Sequence, residues 1–304
     1  MNSKVVWPAL LLGVLHGSVL LAETKVEFHR TVQLAPSDHI LLDVNIPTGD
    51  VTITYAHAGE ISVSATAQAT EDTIATDFFE RGMLVQREGE HLKVQFNSSG
   101  APSSERMRVA YTIEVPNWIE VNANVGTGKL SVSGVMGPVK AVTGSGNVSV
   151  LYITNDLEAK TGRGDIDVIR VGSAAKAETG SGNISMKDIG PGSVATVKKG
   201  TGRVDVDGIS GSFTGSSDAG ELRVGGGVYD NWEVQSGSGN IHLSISPESQ
   251  YEIDAATRSG QLSIENEDIE APREDANARA CHQKVNGGGK LVRARSMSGT
   301  IFIQ

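Results

Sequence analysis

Along most of the chain apolar residues fall at every second position, and a glycine turn marks where each alternating run begins. The runs include Gly126-Thr-Gly128-Lys-Leu-Ser-Val, Gly144-Ser-Gly146-Asn-Val-Ser-Val, Gly162-Arg-Gly164-Asp-Ile-Asp-Val and Gly180-Ser-Gly182-Asn-Ile-Ser-Met. They continue through Gly200-Thr-Gly202, Asp218-Ala-Gly220, Gly237-Ser-Gly239 and Arg258-Ser-Gly260 to Met297-Ser-Gly299-Thr-Ile-Phe-Ile. Successive second glycines are 18, 18, 18, 20, 18, 19, 21 and 39 residues apart. The last interval reads as one ordinary step plus an insertion of about 20 residues within 265–290.

Counting from the second glycine, positions +2 and +4 are apolar in every copy, from Leu130/Val132 to Ile301/Ile303. Positions −7, −5 and −3 hold sets such as Val139/Ala141/Thr143 and Leu157/Ala159/Thr161, and +7 holds Val135, Ile153, Val171, Ile189 and Ile209. A period of two marks strands with one buried face. A unit of this size cannot bury its own apolar positions, so copies must stack, each strand pairing with its counterpart about 4.8 Å away. The prediction is an all-β protein, a β-solenoid of three-sided rungs with a thin core. Helical repeats are excluded by the density of glycine and alternating Val/Ile, and the short period argues against a propeller.

Residues 23–115 read differently. Strands are predicted at 25–34, 40–46, 50–55, 60–66, 91–96 and 108–115, with a short helix at 71–81 and a polar loop at 97–105. This region reads as a β-rich, sandwich-like cap covering the solenoid's first edge, since an open edge invites pairing with other chains. The turn-plus-strand pattern occurs once inside it, as Pro47-Thr-Gly49-Asp-Val-Thr-Ile. The repeat domain is placed at 116–304, and the insertion is a candidate cap for the far end.

Residues 1–22 have Lys4, an apolar run from Val5 to Leu21 and Ala22 before polar Glu23-Thr24-Lys25, the layout of a secretory signal peptide. The expectation is an exported protein of the periplasm, cell surface or extracellular space, with no membrane span after signal removal; an uncleaved anchor is the competing reading. Net charge is −10 and becomes −11 with the loss of Lys4, which disfavours nucleic acid. A single cysteine, Cys281, allows neither an internal disulfide nor a Cys-based zinc site.

These pieces together resemble the bacterial DUF4097 proteins, adhesin-like chains built from β-strand repeats. The matching residues are Arg30-Thr-Val-Gln-Leu, Leu42-Asp-Val-Asn-Ile-Pro-Thr-Gly-Asp-Val, Ile113-Glu-Val-Pro, the repeated Thr-Gly-Ser-Gly-Asn, Asn286-Gly-Gly-Gly-Lys-Leu and Ser298-Gly-Thr-Ile. The resemblance implies an envelope-associated scaffold and brings no catalytic residues with it.

Candidate chemistry is sparse. Asp165, Asp167 and Asp205 are acidic residues predicted to point outward, a pattern that some polysaccharide-cleaving β-helix proteins use. The same outward ladder holds Ser131, Ser149, Ser185, Arg223, His242, Ser263 and Phe302, as a solvated face would. The residue after each second glycine runs Lys129, Asn147, Asp165, Asn183, Arg203, Glu221, Asn240, Gln261 and Thr300, and its two basic members argue against a calcium stack. No Gly-x-Gly opens a helix, so nucleotide binding is not indicated. Arg163-Gly164-Asp165 follows from the repeat, Ser173-x-x-Lys176 lies in a solenoid loop without companion motifs, the mature histidines show no ligand spacing, and the adjoining side chains of Cys281-His282 diverge in an extended segment. No cofactor or metal is expected. The favoured function is a non-enzymatic scaffold binding a protein or glycan of the cell envelope. Alternatives are a polysaccharide-active enzyme using the Asp ridge, and a structural protein that self-associates through a solenoid end.

Overall fold

The computed structural model describes residues 24–304 except 36–38, 57–58, 70–78, 80–81, 97–106, 191–193, 266–268 and 270–278. The expected signal segment, most of the expected helix and the expected polar loop lie outside the described residues. The described residues form two 13-stranded sheets lying face to face over a shared apolar interior. Each repeat contributes one strand to each sheet. Ala175–Ser181 pairs in parallel with Leu157–Arg163, and Ile184–Ile189 with Ile166–Val171, in register along their lengths.

The three apolar runs expected per coil are all buried, yet they occupy two sheets. At Ile153, Val171, Ile189 and Ile209 the +7 residue ends the same strand that carries +2 and +4, while Val135 lies just beyond Leu130–Ser133. In the strand Val148–Ile153, Tyr152 takes φ of 59°, so Val148, Val150 and Ile153 all face inward despite the broken alternation. Arg170 and Asp188 repeat the bend in the next two coils. Each Val or Ile so buried is worth about 1.5–3 kcal/mol relative to exposure, and a coil holds three at this side alone. Leu262 and Ile264 depart from the pattern: they are only partly buried, because Leu262–Ile264 is the end strand of its sheet.

The turn between the two strands needs glycine for a steric reason. Gly146 has φ of 141°, and a Cβ there would collide with the carbonyl oxygen of Gly128 in the coil below. Packing inside is likewise complementary. Gly215 occupies the small-residue column Ala177–Val197–Gly215–Val234, where a Cβ would strike the ring of buried Phe213.

The N-terminal region joins the same sheets. Leu41–Thr48 and Asp50–Tyr55 form a coil, pairing in parallel with Glu120–Thr127 and Leu130–Ser133. On its other side lie His91–Phe96 and Met107–Val115, also parallel. Antiparallel strands finish that end: Met83–Glu88 in one sheet, Glu60–Ala69 and then Thr24–Gln33 in the other. Met83–Glu88 and Glu120–Thr127 were not among the strands expected from the sequence.

Both ends are threaded out of sequence order. The coil 41–55 sits between the coils containing 91–115 and 120–133. At the other end the last coil, Lys290–Ser296 with Ile301–Ile303, lies between Trp232–Ser236 with Ile241–Ile245 and Tyr251–Thr257 with Leu262–Ile264. Within the insertion, Ala280–Val285 runs antiparallel on the outer side of Tyr251–Thr257 and terminates that sheet.

Candidate functional site on the outer faces

At the glycine corner the residue after the second glycine does structural work. Asn147 Oδ1 accepts the N–H of Asp165 at 3.0 Å, Asp165 Oδ1 accepts that of Asn183 at 2.7 Å, and Asn183 Oδ1 accepts that of Arg203 at 3.1 Å. Asp50 to Lys129 and Asn240 to Thr300 repeat the bond at 2.8 and 2.9 Å. Short Asn and Asp side chains suit this reach, which accounts for their recurrence directly after the second glycine. Among the described residues no group of three or more His, Cys, Asp or Glu is placed to hold a metal ion.

The three acidic candidates are not brought to one point. Asp165 belongs to the corner ladder. Asp167 lies on the sheet face between Ser149 and Ser185, and Asp205 is one strand beyond Ser185. Two strand spacings put Asp167 and Asp205 about 9.6 Å apart along the sheet. Asp205 is held by Arg203, with Nη2 to Oδ1 at 2.9 Å and Nε to Oδ2 at 2.7 Å. Neither of two shallow hollows on the surface is lined by any of the three. One, of about 380 Å³, lies beside Glu120, Asn122, Lys140, Asp156 and Glu158; the other, of about 540 Å³, beside Asp218, Arg258 and Met297.

Further along that face the register aligns Asp205, Arg223, His242 and Phe302 on consecutive strands. Glu221 accepts from Arg223 Nη2 at 2.9 Å and meets His242 Nε2 at 2.8 Å, while the His242 and Phe302 rings stack at 4.4 Å. Burial holds the His242 imidazole below the usual histidine range, with Arg223 and Arg203 acting in the same direction and Glu221 opposing them. The sequence showed these residues only as members of an outward ladder, because their convergence depends on the strand register.

The opposite face carries a lattice of ion pairs. Glu158 lies between Lys176 at 3.2 Å and Lys140 at 3.7 Å, and Lys160 meets Glu178 at 3.0 Å. Partial desolvation pushes the Glu158 carboxyl up, but the two ammoniums outweigh it and hold the group below the usual carboxylate range. At the bend between faces, Tyr152 and Met136 are exposed, and the Arg170 guanidinium stands 5.3 Å from the Tyr152 ring centre.

One buried column has no counterpart on the surface. Thr143, Thr161, Thr179, Lys199, Ser217, Ser236, Ser296 and Thr257 follow one another under the glycine corner, all buried. The threonine hydroxyls of 143, 161 and 179 donate to the carbonyls of Gly128, Gly146 and Gly164 at 3.3, 2.9 and 3.1 Å. Lys199 substitutes an ammonium, which donates to Gly182 O and, at 2.7 Å, to Arg203 O. Burial pushes its pKa down to about 8, against a smaller upward pull from Asp165.

Two parallel sheets of short glycine-cornered coils, with their chemistry confined to flat outer ladders, define a solenoid-like β fold of the toastrack type. The chain belongs to the DUF4097 family, whose toastrack model matches residues 39–304. Solved structures similar to it include an adhesin-like protein from Bacteroides fragilis (12% identity, 93% of this chain and 99% of that one, TM-score 0.46). Another adhesin-like protein, from Parabacteroides merdae, has 13% identity, covers 91% and 96%, and has a TM-score of 0.30. A protein from Parabacteroides distasonis named for lipid binding has 11% identity, covers 91% and 96%, and has a TM-score of 0.38. No curated protein matches the chain.

Proposed function

We propose that this protein is an exported, non-enzymatic scaffold that presents flat polar faces to a protein or glycan of the cell envelope, in an adhesion-like role. The observation that carries the reading is the engagement of the outward acidic groups with their neighbours: Asp165 with the next coil's backbone, Asp205 with Arg203, Glu158 with two lysines. General acid–base or nucleophilic work on a glycosidic bond needs two carboxyls free to act on one bound reacting centre, whereas Asp165 and Asp205 are already engaged and neither surface hollow is lined by Asp165, Asp167 or Asp205. A rigid stacked face suits recognition instead, since its side chains are ordered before the partner arrives. Export rests on the N-terminal pattern of the sequence; among the described residues no helix is long and apolar enough to cross a membrane.

The test is binding of the purified chain to a glycan array and to envelope proteins, alongside an assay for soluble sugar released from envelope polysaccharide. Saturable binding without release is expected. Blank binding in both formats at high protein concentration overturns the scaffold reading. Sugar release that is lost in an Asp165→Asn, Asp167→Asn double variant would establish the enzyme alternative in its place.

A further inference from the structure

The last coil of the chain occupies a slot that its two neighbours could close without it. Through Lys290–Ser296, Trp232 aligns with Val292 and then Ile253, Val234 with Ala294 and Ala255, and Ser236 with Ser296 and Thr257. Through Ile301–Ile303, Ile241 and Leu243 align with Leu262 and Ile264. The coils 232–245 and 251–264 therefore carry matching registers and matching inward residues.

The coil in the slot uses the bonds found between sequential coils elsewhere. Asn240 Oδ1 accepts the Thr300 N–H at 2.9 Å, Asn231 Oδ1 accepts the Leu291 N–H at 2.9 Å, and Thr257 Oγ1 donates to Gly299 O at 3.0 Å. It is also joined to Ala280–Val285 by a turn that straddles the chain leading into Tyr251–Thr257. In that turn Asn286 Nδ2 donates to Pro247 O and Ser249 O at 2.8 and 3.0 Å. Residues 280–304 thus form a clip, with one arm on each side of Tyr251–Thr257.

We propose that this clip is exchangeable: the slot between the coils 232–245 and 251–264 accepts residues 280–304 of a second copy, giving a reciprocal dimer. Exchange requires the link between the strands Leu262–Ile264 and Ala280–Val285 to cross from one copy to the other. Its fifteen residues, 265–279, reach up to about 50 Å when extended, ample for crossing to a neighbour. The strand pairings and corner bonds of residues 280–304 are re-formed between copies; Ile269, buried within the link, is the interior contact that crossing disturbs, and exchange is otherwise set by protein concentration. Lys290–Ser296 and Ile301–Ile303 are paired on both sides, so release begins with the outermost coil, 251–264, parting from them, and the end of a stacked array opens more readily than its centre.

A cysteine pair reads the outcome. Asn240→Cys and Thr300→Cys immediately precede the paired residues Ile241 and Ile301 of adjacent parallel strands, whose spacing of about 4.8 Å is within disulfide range; Cys281→Ala removes the native thiol. The reduced triple variant is unfolded in urea, refolded at a series of concentrations, oxidised and run on a non-reducing gel after size exclusion. Exchange gives soluble disulfide-linked dimers without free thiols, their fraction rising with concentration, and linked monomers at the dilute end. Linked monomers at every concentration overturn the proposal. Should the variant fail to form the disulfide even when dilute, the wild-type chain carries the test, refolded as isotope-labelled and unlabelled pools. Dimers whose subunits mix only after unfolding support exchange; monomers throughout, or dimers that mix freely in the native state, overturn it.

Discussion

Replacing Lys199 by Thr restores the hydroxyl that the same column carries at 143, 161 and 179, and removes a charge from the interior. The Lys199 ammonium is buried, and its pKa is pushed down to about 8 from the ordinary 10.5. At about 1.4 kcal/mol per unit, that depression corresponds to about 3 kcal/mol of native-state cost while both states are protonated. Below pH 8 native and unfolded chains both hold the proton, and the cost is present in full. Between about 8 and 10.5 the native state has released the proton and the unfolded state still binds it, so stability rises with pH. Tyr111 and Cys281 act oppositely, since burial raises both, and their contribution falls as pH climbs. The difference between wild type and Lys199→Thr cancels those two. Urea unfolding followed by the fluorescence of buried Trp232 should therefore show the wild type gaining about 3 kcal/mol on the variant from pH 7.5 to 10.5. Parallel profiles, with a constant difference across that window, would refute the assignment of a buried charge at this rung.

Three further outcomes follow from the corner and the histidine face. Asp165→Ala should cost about 1 kcal/mol in urea unfolding by losing the acceptor for the Asn183 N–H, while Asp165→Asn, which keeps the oxygen, should stay within about 0.5 kcal/mol; equal losses would contradict the ladder. Gly146→Ala should cost about 1–3 kcal/mol or more, because it combines an unfavourable φ with a collision against the backbone of Gly128, and an unchanged denaturation midpoint would count against the stacked turn. By NMR, His242 should titrate below an ordinary histidine, and Glu221→Gln should lower it further by removing the one upward pull. As pH falls below about 6.5 the unfolded chain binds the proton first, so the His242 contribution makes the protein less stable on the acid side; an upward move in the Glu221→Gln variant would show that the contact at 2.8 Å is absent in solution.

What could be read from the sequence was whatever repeats. The period of 18 set the coil, the +2 and +4 residues named the core, and among the described residues the buried polar side chains sit at the −3 position that already showed Thr and Ser. The bend at Tyr152, Arg170 and Asp188 was hidden, since three different side chains adopt one backbone conformation that would ordinarily be marked by glycine, as it is at Gly134 and Gly208. Convergence of Glu221, Arg223, His242 and Phe302 was hidden for another reason: Phe302 is 60 residues from His242 and reaches it only because the last coil is inserted.

That insertion could not have been read from periodicity at all. A repeat tells each coil what surface to offer its neighbours, and the coils 232–245, 251–264 and 290–303 all offer the same one, small or apolar inward and hydroxyl under the corner. Stacking them in sequence order or with the last in the middle satisfies that pattern equally. The decision falls to contacts outside it: Asp230 on Lys290 at 3.3 Å, Gln304 Nε2 on Ser244 Oγ at 2.7 Å, and Arg295 on Asp254 at 2.5 Å. The first two tie the last coil to the inner neighbour and the third to the outer one. A charge or amide at one edge of a coil thus selects among stackings that the core treats as equivalent, which is how a repetitive interior acquires a single order.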